Sequence, residues 1–135
     1  MSPRARAVGL LLNDRLEVLL MLRRKQGRAY ATLPGGGIEA GETPAEACAR
    51  ELLEEVNLVV NVGEELLVLD NLGNLEHYFH VTLVSGEMRL GDGPEGTIRQ
   101  SAENYYEPRW VPVAELDAVN LMPEQARTLV RSRAG

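Results

Sequence analysis

The sequence predicts an α/β protein in which helices pack on a mixed β-sheet. Three observations indicate this class. Short apolar segments typical of strands recur along the chain, two segments have the helical period, and the elements follow the order β-β-β-α-β-β-β-α. The 135 residues contain no repeat, low-complexity segment or linker, so a single domain over residues 1–135 is expected.

The strands are predicted from apolar segments bounded by turn residues. Residues 7–12 and 17–23 flank Asn13 and Asp14, which predicts a β-hairpin. Residues 30–33 form a short third strand that leads into a run of glycines. The later strands are residues 58–62 and 66–69, which can join into one bent strand, then residues 75–84 and residues 109–113.

The first helix can be located closely because its start signals are strong. Thr43 is a suitable N-cap, Pro44 suits the first helical position, and Glu46 completes a capping box. A second helix begins at Pro123. One stripe of the first helix is apolar and is predicted to face the core. This stripe consists of Ala45, Cys48, Ala49, Leu52 and Val56.

The opposite face of the first helix is acidic. Glu51 precedes Glu54 and Glu55 by three and four residues, and Ala47 lies among them. Each like-charged pair costs about 0.2–0.5 kcal/mol, and no basic residue is interleaved. A solvated face is one interpretation. The other is ligation of Mg²⁺, which prefers carboxylate oxygens and substrate phosphates. A carbonyl from Gly35–Gly37 could add an oxygen, although these glycines also suit a simple turn.

The stretch from Gly36 to Leu58 reads GGIEAGETPAEACARELLEEVNL. It resembles the Nudix box, G-x5-E-x7-R-E-U-x-E-E-x-G-U, in which U is aliphatic. The one departure is Asn57, where the family has glycine. That position follows the last helical turn, and asparagine is the usual second choice for the left-handed residue that ends a helix. The resemblance implies a Nudix-like α/β/α sandwich with a mixed central β-sheet.

The resemblance also implies a function. The expected activity is that of an Mg²⁺-dependent pyrophosphohydrolase, with Mn²⁺ as a second candidate ion. It would cleave a nucleoside diphosphate linked to another group. Nucleoside triphosphates, ADP-ribose, dinucleoside polyphosphates and nucleotide sugars share that bond, so the substrate stays open. A nucleotide sensor without catalysis is the alternative, and an isomerase or interaction protein on the same scaffold is a third reading.

The family pattern assigns roles to residues of the box. Arg50 would orient a glutamate, while Glu51 and Glu54 would be central to catalysis. The general base is left open between a box glutamate, Glu95 and Glu103. The number of metal ions is also left open. The implied metal ligands are Glu51, Glu54, Glu55 and the carbonyl of Gly36 or Gly35, with Glu42 as an outer ligand.

Two further segments have more than one interpretation. A basic cluster follows the second strand, where a solvated loop is favoured over contacts with substrate phosphates. Residues 91–96 match G-x-G-x-x-G, but Pro94 and the polar segment behind it do not suit the helix of a dinucleotide site. This long loop and the tyrosines after it could contribute acids or a stacking surface for a base. The cluster is Arg23, Arg24, Lys25 and Arg28, and the tyrosines are Tyr105 and Tyr106.

Composition bounds the remaining possibilities. The net charge of −6 disfavours a nucleic-acid polymer as partner, and no segment suits a signal peptide or membrane span. Cys48 is the only cysteine, so a disulfide framework is excluded and a cytoplasmic location is expected. His77 and His80 face opposite sides of a strand and cannot share one ion. The oligomeric state is open, with a homodimer among the candidates.

Overall fold

The computed structural model describes residues 5–88 and 104–135 of the chain. Its strands are β1 (Ala5–Leu10), β2 (Glu17–Lys25), β3 (Arg28–Thr32), β4 (Gly35–Gly37), β5 (Val59–Asn71), β6 (Asn74–Ser85) and β7 (Asn104–Pro112). Its helices are α1 (Pro44–Val56) and α2 (Glu124–Ala134), and a short 3₁₀ helix covers Val113–Glu115. In this part of the chain no helix is long and apolar enough to cross a membrane.

The described strands form two sheets. The first has the order β4-β1-β6-β5 and is mixed, because β1 runs parallel to β6 while the other pairs are antiparallel. The second has the order β3-β2-β7 and is antiparallel. Successive side chains of β1 point to opposite faces, and each face has its own apolar cluster. Ala7 packs in the cluster that contains α1, whereas Val8 packs in the cluster that contains α2. The predicted α/β/α layering is confirmed.

Helix α1 starts where the sequence predicts. Thr43 Oγ1 accepts a hydrogen bond from the backbone N–H of Glu46 at 3.1 Å, and Glu46 Oε1 accepts one from the N–H of Thr43 at 2.8 Å. Ala47 is fully buried, although the sequence pattern placed it among the acidic residues. Helix α1 contacts the edge strand β4 as well as β1 and β5, so a second side of the helix is covered.

Two predictions about the N-terminal strands are wrong. Strands β1 and β2 belong to different sheets and meet only at the bridge between Leu12 and Val18. The backbone N–H of Glu17 bonds to Asn13 Oδ1 at 3.0 Å, so the turn itself is tight although the strands diverge behind it. The basic cluster does not form a loop either. Its first three members end β2 and the fourth begins β3, with the turn at Gln26 and Gly27 between them.

Asn57 ends α1 in the left-handed conformation, at φ 63° and ψ 31°. Its side-chain Nδ2 also donates a hydrogen bond to the carbonyl oxygen of Glu87 at 2.9 Å, which the sequence did not predict. Glycine at this position would relieve the Cβ strain but lose that bond. The two effects therefore oppose each other.

We expect Asn57→Gly to change the free energy of unfolding by less than about 1 kcal/mol, because strain relief offsets the lost hydrogen bond. Asn57→Ala loses the bond and keeps the Cβ penalty, so it should destabilise the protein by about 1–2 kcal/mol. Thermal or urea unfolding of both variants beside the wild type makes the comparison. Equal stability of the two variants would contradict a left-handed requirement at residue 57.

Candidate active site

The guanidinium of Arg50 gathers the acidic residues of the box. It binds Glu42 through two bonds, from Nε to Oε2 at 2.6 Å and from Nη2 to Oε1 at 2.9 Å. Its Nη1 donates to Glu51 Oε1 at 2.8 Å and to Glu54 Oε2 at 3.1 Å. Its Nη2 also donates to the carbonyl oxygen of Gly37 at 2.9 Å. One cation thus joins the glycine strand, the loop before α1 and the acidic face of α1.

The contact between Arg50 and Glu42 shifts the pKa of both residues. The hydrogen bond from Arg50 lowers the pKa of Glu42 from 4.5 to about 2, and the backbone N–H of Glu39 contributes in the same direction. The same bond to Glu42 raises the pKa of Arg50, followed by the bond to Glu51. Glu42 is therefore ionised and Arg50 charged near neutral pH. The bidentate contact fixes the orientation of the guanidinium plane.

Two of the three glycines of strand β4 lie at close approaches that leave no room for a side chain. A Cβ at Gly36 would stand 2.3 Å from Glu51 Oε2, and one at Gly35 would stand 2.2 Å from the carbonyl oxygen of Ala7. The strand can therefore press its backbone against β1 on one side and against the Glu51 carboxylate on the other. This contact places the peptide groups of β4 directly beside the acidic face of α1.

Glu55 is not among the carboxylates that bind Arg50. Its Oε1 is buried and has no hydrogen-bond partner among the residues that the structure describes. Burial raises the pKa of Glu55 from 4.5 to about 7, and the charge of Glu51 acts in the same direction. The charge of Arg23 and a hydrogen bond from the backbone N–H of Gly35 act against this shift. Such a carboxylate is costly to keep buried unless an additional partner satisfies it.

The donor set suits a hard divalent cation. Carboxylates and a backbone carbonyl are the oxygen ligands that Mg²⁺ takes in proteins. The unpaired Oε1 of Glu55 is such an oxygen and has a free position for a ligand bond. In residues 5–88 and 104–135, however, no group of three or more acidic, histidine or cysteine side chains is arranged to hold an ion as the side chains stand. Arg50 occupies one oxygen of Glu51 and one oxygen of Glu54, which leaves the second oxygen of each carboxylate available to an ion.

A pocket of about 460 Å³ opens beside this site. Its walls come from β1, the β2–β3 hairpin, the β5–β6 turn and the segment before α2. Arg6 lines the pocket and its charge also lowers the pKa of Glu55, so the two regions are neighbours. The lining includes Arg6, Arg28, Tyr30, Glu76, Tyr78 and Met122.

The structure brings together most of the predicted site residues. Four carboxylates or carbonyls of the box contact Arg50 directly, whereas Glu55 faces Arg23 instead. Glu95 and Glu103 lie outside the described residues, as does the G-x-G-x-x-G segment. Sequence reasoning did not single out the pocket residues of β1 and β6, because an isolated arginine or glutamate in a strand has no distinguishing spacing.

The two tyrosines named above, Tyr105 and Tyr106, lie on β7, next to the basic cluster. Tyr106 is half-buried, and the guanidinium of Arg23 stands 4.6 Å from its ring centre. Arg24 stands 5.5 Å from the ring centre of Tyr105, which also donates a hydrogen bond to Glu107. These contacts support packing for both rings. Arg23 also donates from Nε to Thr32 Oγ1 at 3.0 Å, which holds it near Glu55.

A family comparison agrees with the fold and the box. The model of the NUDIX domain matches residues 3–132, nearly the whole chain. The chain therefore belongs to the NUDIX family. Among solved structures, a NUDIX-family hydrolase from Clostridium perfringens superposes with a TM-score of 0.75 and 18% identity, covering 99% of this chain and 97% of that one. At this identity the likeness concerns the fold.

The relatives found by sequence similarity are named for two activities, 8-oxo-dGTP diphosphatase and ADP-ribose pyrophosphatase. A putative 8-oxo-dGTP diphosphatase of Mycobacterium tuberculosis is 35% identical over 116 residues, which cover 76% of this chain and 72% of the relative. An ADP-ribose pyrophosphatase of Methanocaldococcus jannaschii is 30% identical over 98 residues, 68% of this chain and 58% of the relative. An Escherichia coli 8-oxo-dGTP diphosphatase is 43% identical over 54 residues, 38% of this chain and 42% of the relative. The match thus spans about half the length of the last two relatives.

The raised pKa of Glu55 makes the stability of the metal-free protein depend on pH. The unfolded chain releases this proton near pH 4.5 and the folded protein near pH 7. The folded state thus binds more protons in this window, so stability falls as the pH rises through it and stays lower above. Glu55→Gln imitates the protonated form. We expect it to stabilise the protein by roughly 2–3 kcal/mol at about pH 8 and to have little effect near pH 4.5.

Thermal unfolding in EDTA at both pH values measures this difference. Glu64→Gln is the matched control, since Glu64 is an exposed residue of β5 that pairs with Arg133 of α2 at 3.7 Å and lies outside the box. A gain of equal size at both pH values would show that the buried charge of Glu55 is not its cause.

Proposed function

We propose that this protein is a divalent-metal-dependent pyrophosphohydrolase, with Mg²⁺ or Mn²⁺ as the ion. Its substrate is a nucleoside diphosphate linked to another group, and its products are a nucleoside monophosphate and the phosphorylated remainder. The observation that carries the proposal is the gathering of Glu42, Glu51, Glu54 and the Gly37 carbonyl around Arg50, beside the buried and unpaired Oε1 of Glu55. The proposal also assigns the protein to the cytoplasm.

Nudix hydrolases generally need divalent metal ions. In the proposed site the ion would be held by Glu51, Glu54, Glu55 and the carbonyl of Gly36 or its neighbour Gly35. When bound, such an ion neutralises charge on the diphosphate oxygens and lowers the pKa of a bound water.

The protein's own residues provide positioning and charge. Arg50 keeps its two bonds to Glu42 and so fixes the loop before α1 while orienting the nearby Glu51. Arg23 stands near Glu55 and is suited to attract substrate phosphates. The general base that takes the proton of the attacking water is a box glutamate, Glu95 or Glu103.

The pocket next to the site is assigned to the nucleoside part of the substrate. It combines aromatic and apolar walls with several charged groups, which is the usual character of a small-molecule site. The names of the relatives support two substrate classes for this chain, an oxidised nucleoside triphosphate and ADP-ribose. Both contain the diphosphate bond that the site is proposed to cleave.

A nucleotide sensor without catalysis is the second candidate. It is favoured by one observation: Arg50 already offsets the charges of Glu51 and Glu54 without an ion. A sensor would bind nucleotides and leave them intact, so turnover separates the two candidates.

The test is hydrolysis of a nucleotide panel that includes 8-oxo-dGTP, ADP-ribose, a dinucleoside polyphosphate and a nucleotide sugar. Phosphate release is read after addition of phosphatase, with Mg²⁺, with Mn²⁺ and with EDTA. We expect turnover of at least one substrate that EDTA abolishes and added metal restores. Full turnover by metal-free protein would refute the metal, and binding without turnover would favour the sensor.

Glu54→Gln tests the acidic face of α1 most directly. The change keeps the size of the side chain and removes one charge that the proposed site uses. We expect turnover to fall at least about 100-fold, equivalent to about 2.7 kcal/mol of transition-state stabilisation. The melting temperature of the metal-free protein should stay level or rise, because repulsion from Glu51 is relieved. Near-normal turnover would exclude this face from catalysis.

Glu95→Gln and Glu103→Gln decide whether the long loop supplies the base. If one of these acids takes the proton, its variant should lose at least about tenfold in turnover at saturating substrate. The matched control is Glu87→Gln, which precedes the loop. A loss of less than about threefold in both loop variants would assign the base to the box glutamates.

A further inference from the structure

By whole-residue exposure, Glu76 is the one charged residue classed as buried in the described part of the chain, with 8% of its surface exposed. It lies on β6, outside the Nudix box, and it lines the 460 Å³ pocket. A buried carboxylate is retained only where partners satisfy its oxygens, because desolvation of an unpaired charge is costly. The hydrogen bonds of Glu76 therefore indicate its role.

The two carboxylate oxygens are satisfied unequally. Oε1 accepts a hydrogen bond from the hydroxyl of Tyr78 at 2.8 Å. Burial and this bond raise the pKa of Tyr78, so the hydroxyl keeps its proton and remains a donor. Oε2 has only long contacts, with Asn71 Nδ2 at 3.5 Å and Arg6 Nε at 3.9 Å. Oε2 therefore retains capacity for a donor beyond those that residues 5–88 and 104–135 supply.

The pocket around Glu76 suits a planar group with apolar faces. Its lining combines Val8, Leu33 and Met122 with the ring of Tyr30. At the β5–β6 turn, Leu72 is 97% exposed and has a positive φ of 56°, an unfavourable conformation for a leucine. An apolar side chain held at a pocket rim in this way can cover a bound ring.

Arg6 connects this pocket to the proposed catalytic site. On β1 it stands opposite Gly37 of β4 and opposite Glu76 of β6. Since neighbouring strands are about 4.8 Å apart, the backbones of Gly37 and Glu76 are separated by about 10 Å. One nucleotide can therefore reach from the glycine strand to Glu76.

We propose that Glu76 is a specificity-determining residue, whose Oε2 accepts hydrogen bonds from the N–H edge of a nucleobase of the guanine type. Guanine presents N1–H and the 2-amino group side by side, whereas hypoxanthine lacks the amino group and adenine places the N1 lone pair at that edge. The lone pair would face the carboxylate, which disfavours adenine. This inference rests on the proposed function for the nature of the ligand as a nucleotide.

A purely structural role for Glu76 is the competing explanation. The residue stands opposite Arg6 and could serve only to join β1 to β6. A structural carboxylate would affect stability and leave the preference between bases unchanged. A carboxylate that recognises the base would determine the preference between bases, and its substitution would change that preference even in a variant that remains folded.

The experiment measures binding of GMP, IMP and AMP by isothermal titration calorimetry in the presence of Mg²⁺. These monophosphates lack the diphosphate bond, so binding is observed without turnover. We expect the wild type to bind GMP at least about tenfold more tightly than IMP or AMP, as expected for a hydrogen bond to a charged acceptor. Glu76→Gln should bring the three affinities within about threefold, and Glu64→Gln should leave the preference unchanged.

A wild type that does not prefer GMP, or binds none of the three, overturns the inference. So does a folded Glu76→Gln that keeps the preference. Should that variant melt below the assay temperature, Glu76→Asp decides, because it keeps the charge near Arg6 but retracts the carboxylate from the pocket. A retained preference in Glu76→Asp overturns the inference. A preference for GMP without hydrolysis of any nucleotide would refute the proposed function alone, and hydrolysis without base preference would refute the role of Glu76 alone.

Discussion

The contact of Arg50 with three carboxylates is the interaction on which the candidate site depends. Without it, the acidic groups of α1 and of the preceding loop would repel one another within a few ångströms. The guanidinium reaches both sides at once, since it binds Glu42 of the loop and the carbonyl of Gly37 while also holding the helix glutamates. The loop is thereby closed onto the helix, and β4 is held at the edge of the mixed sheet.

In the proposed site, Arg50 and a metal ion would share the carboxylates of Glu51 and Glu54, because Arg50 binds one oxygen of each. Glu54 is exposed and bound through one oxygen at 3.1 Å, so its bond is easily exchanged. Glu42 is bound through both oxygens and has its pKa held near 2, so it is the last partner that Arg50 would release. This order favours Glu42 as the anchor of Arg50 over its sequence-based role as an outer metal ligand. Glu55 forms no bond with Arg50 and keeps one unpaired buried oxygen, which supports its proposed role as a ligand.

What the sequence could predict depended on whether the determining contacts are local. The start of α1 and its left-handed end at Asn57 rest on residues a few positions apart, and the structure agrees with both. The pairing of β1 with β4 and β6 joins segments far apart in sequence, and the pattern of apolar residues wrongly paired β1 with β2. The burial of Ala47 has the same origin, because the strand that covers it cannot be inferred from the helical period. Glu76 was missed since alternation along β6 assigns it a face but no neighbour.

This division between local and distant contacts separates chemistry from selectivity. The box occupies one continuous stretch, from Gly36 to Leu58, so the residues proposed to act on the diphosphate are recognisable in the sequence. The pocket is assembled from four separate segments of the chain, including β1, the β5–β6 hairpin and the residues before α2. The diphosphate is common to all candidate substrates and cannot distinguish them. Discrimination must therefore come from pocket groups such as Glu76, where an unmatched buried acceptor penalises the wrong ligand more strongly than a lost apolar contact does.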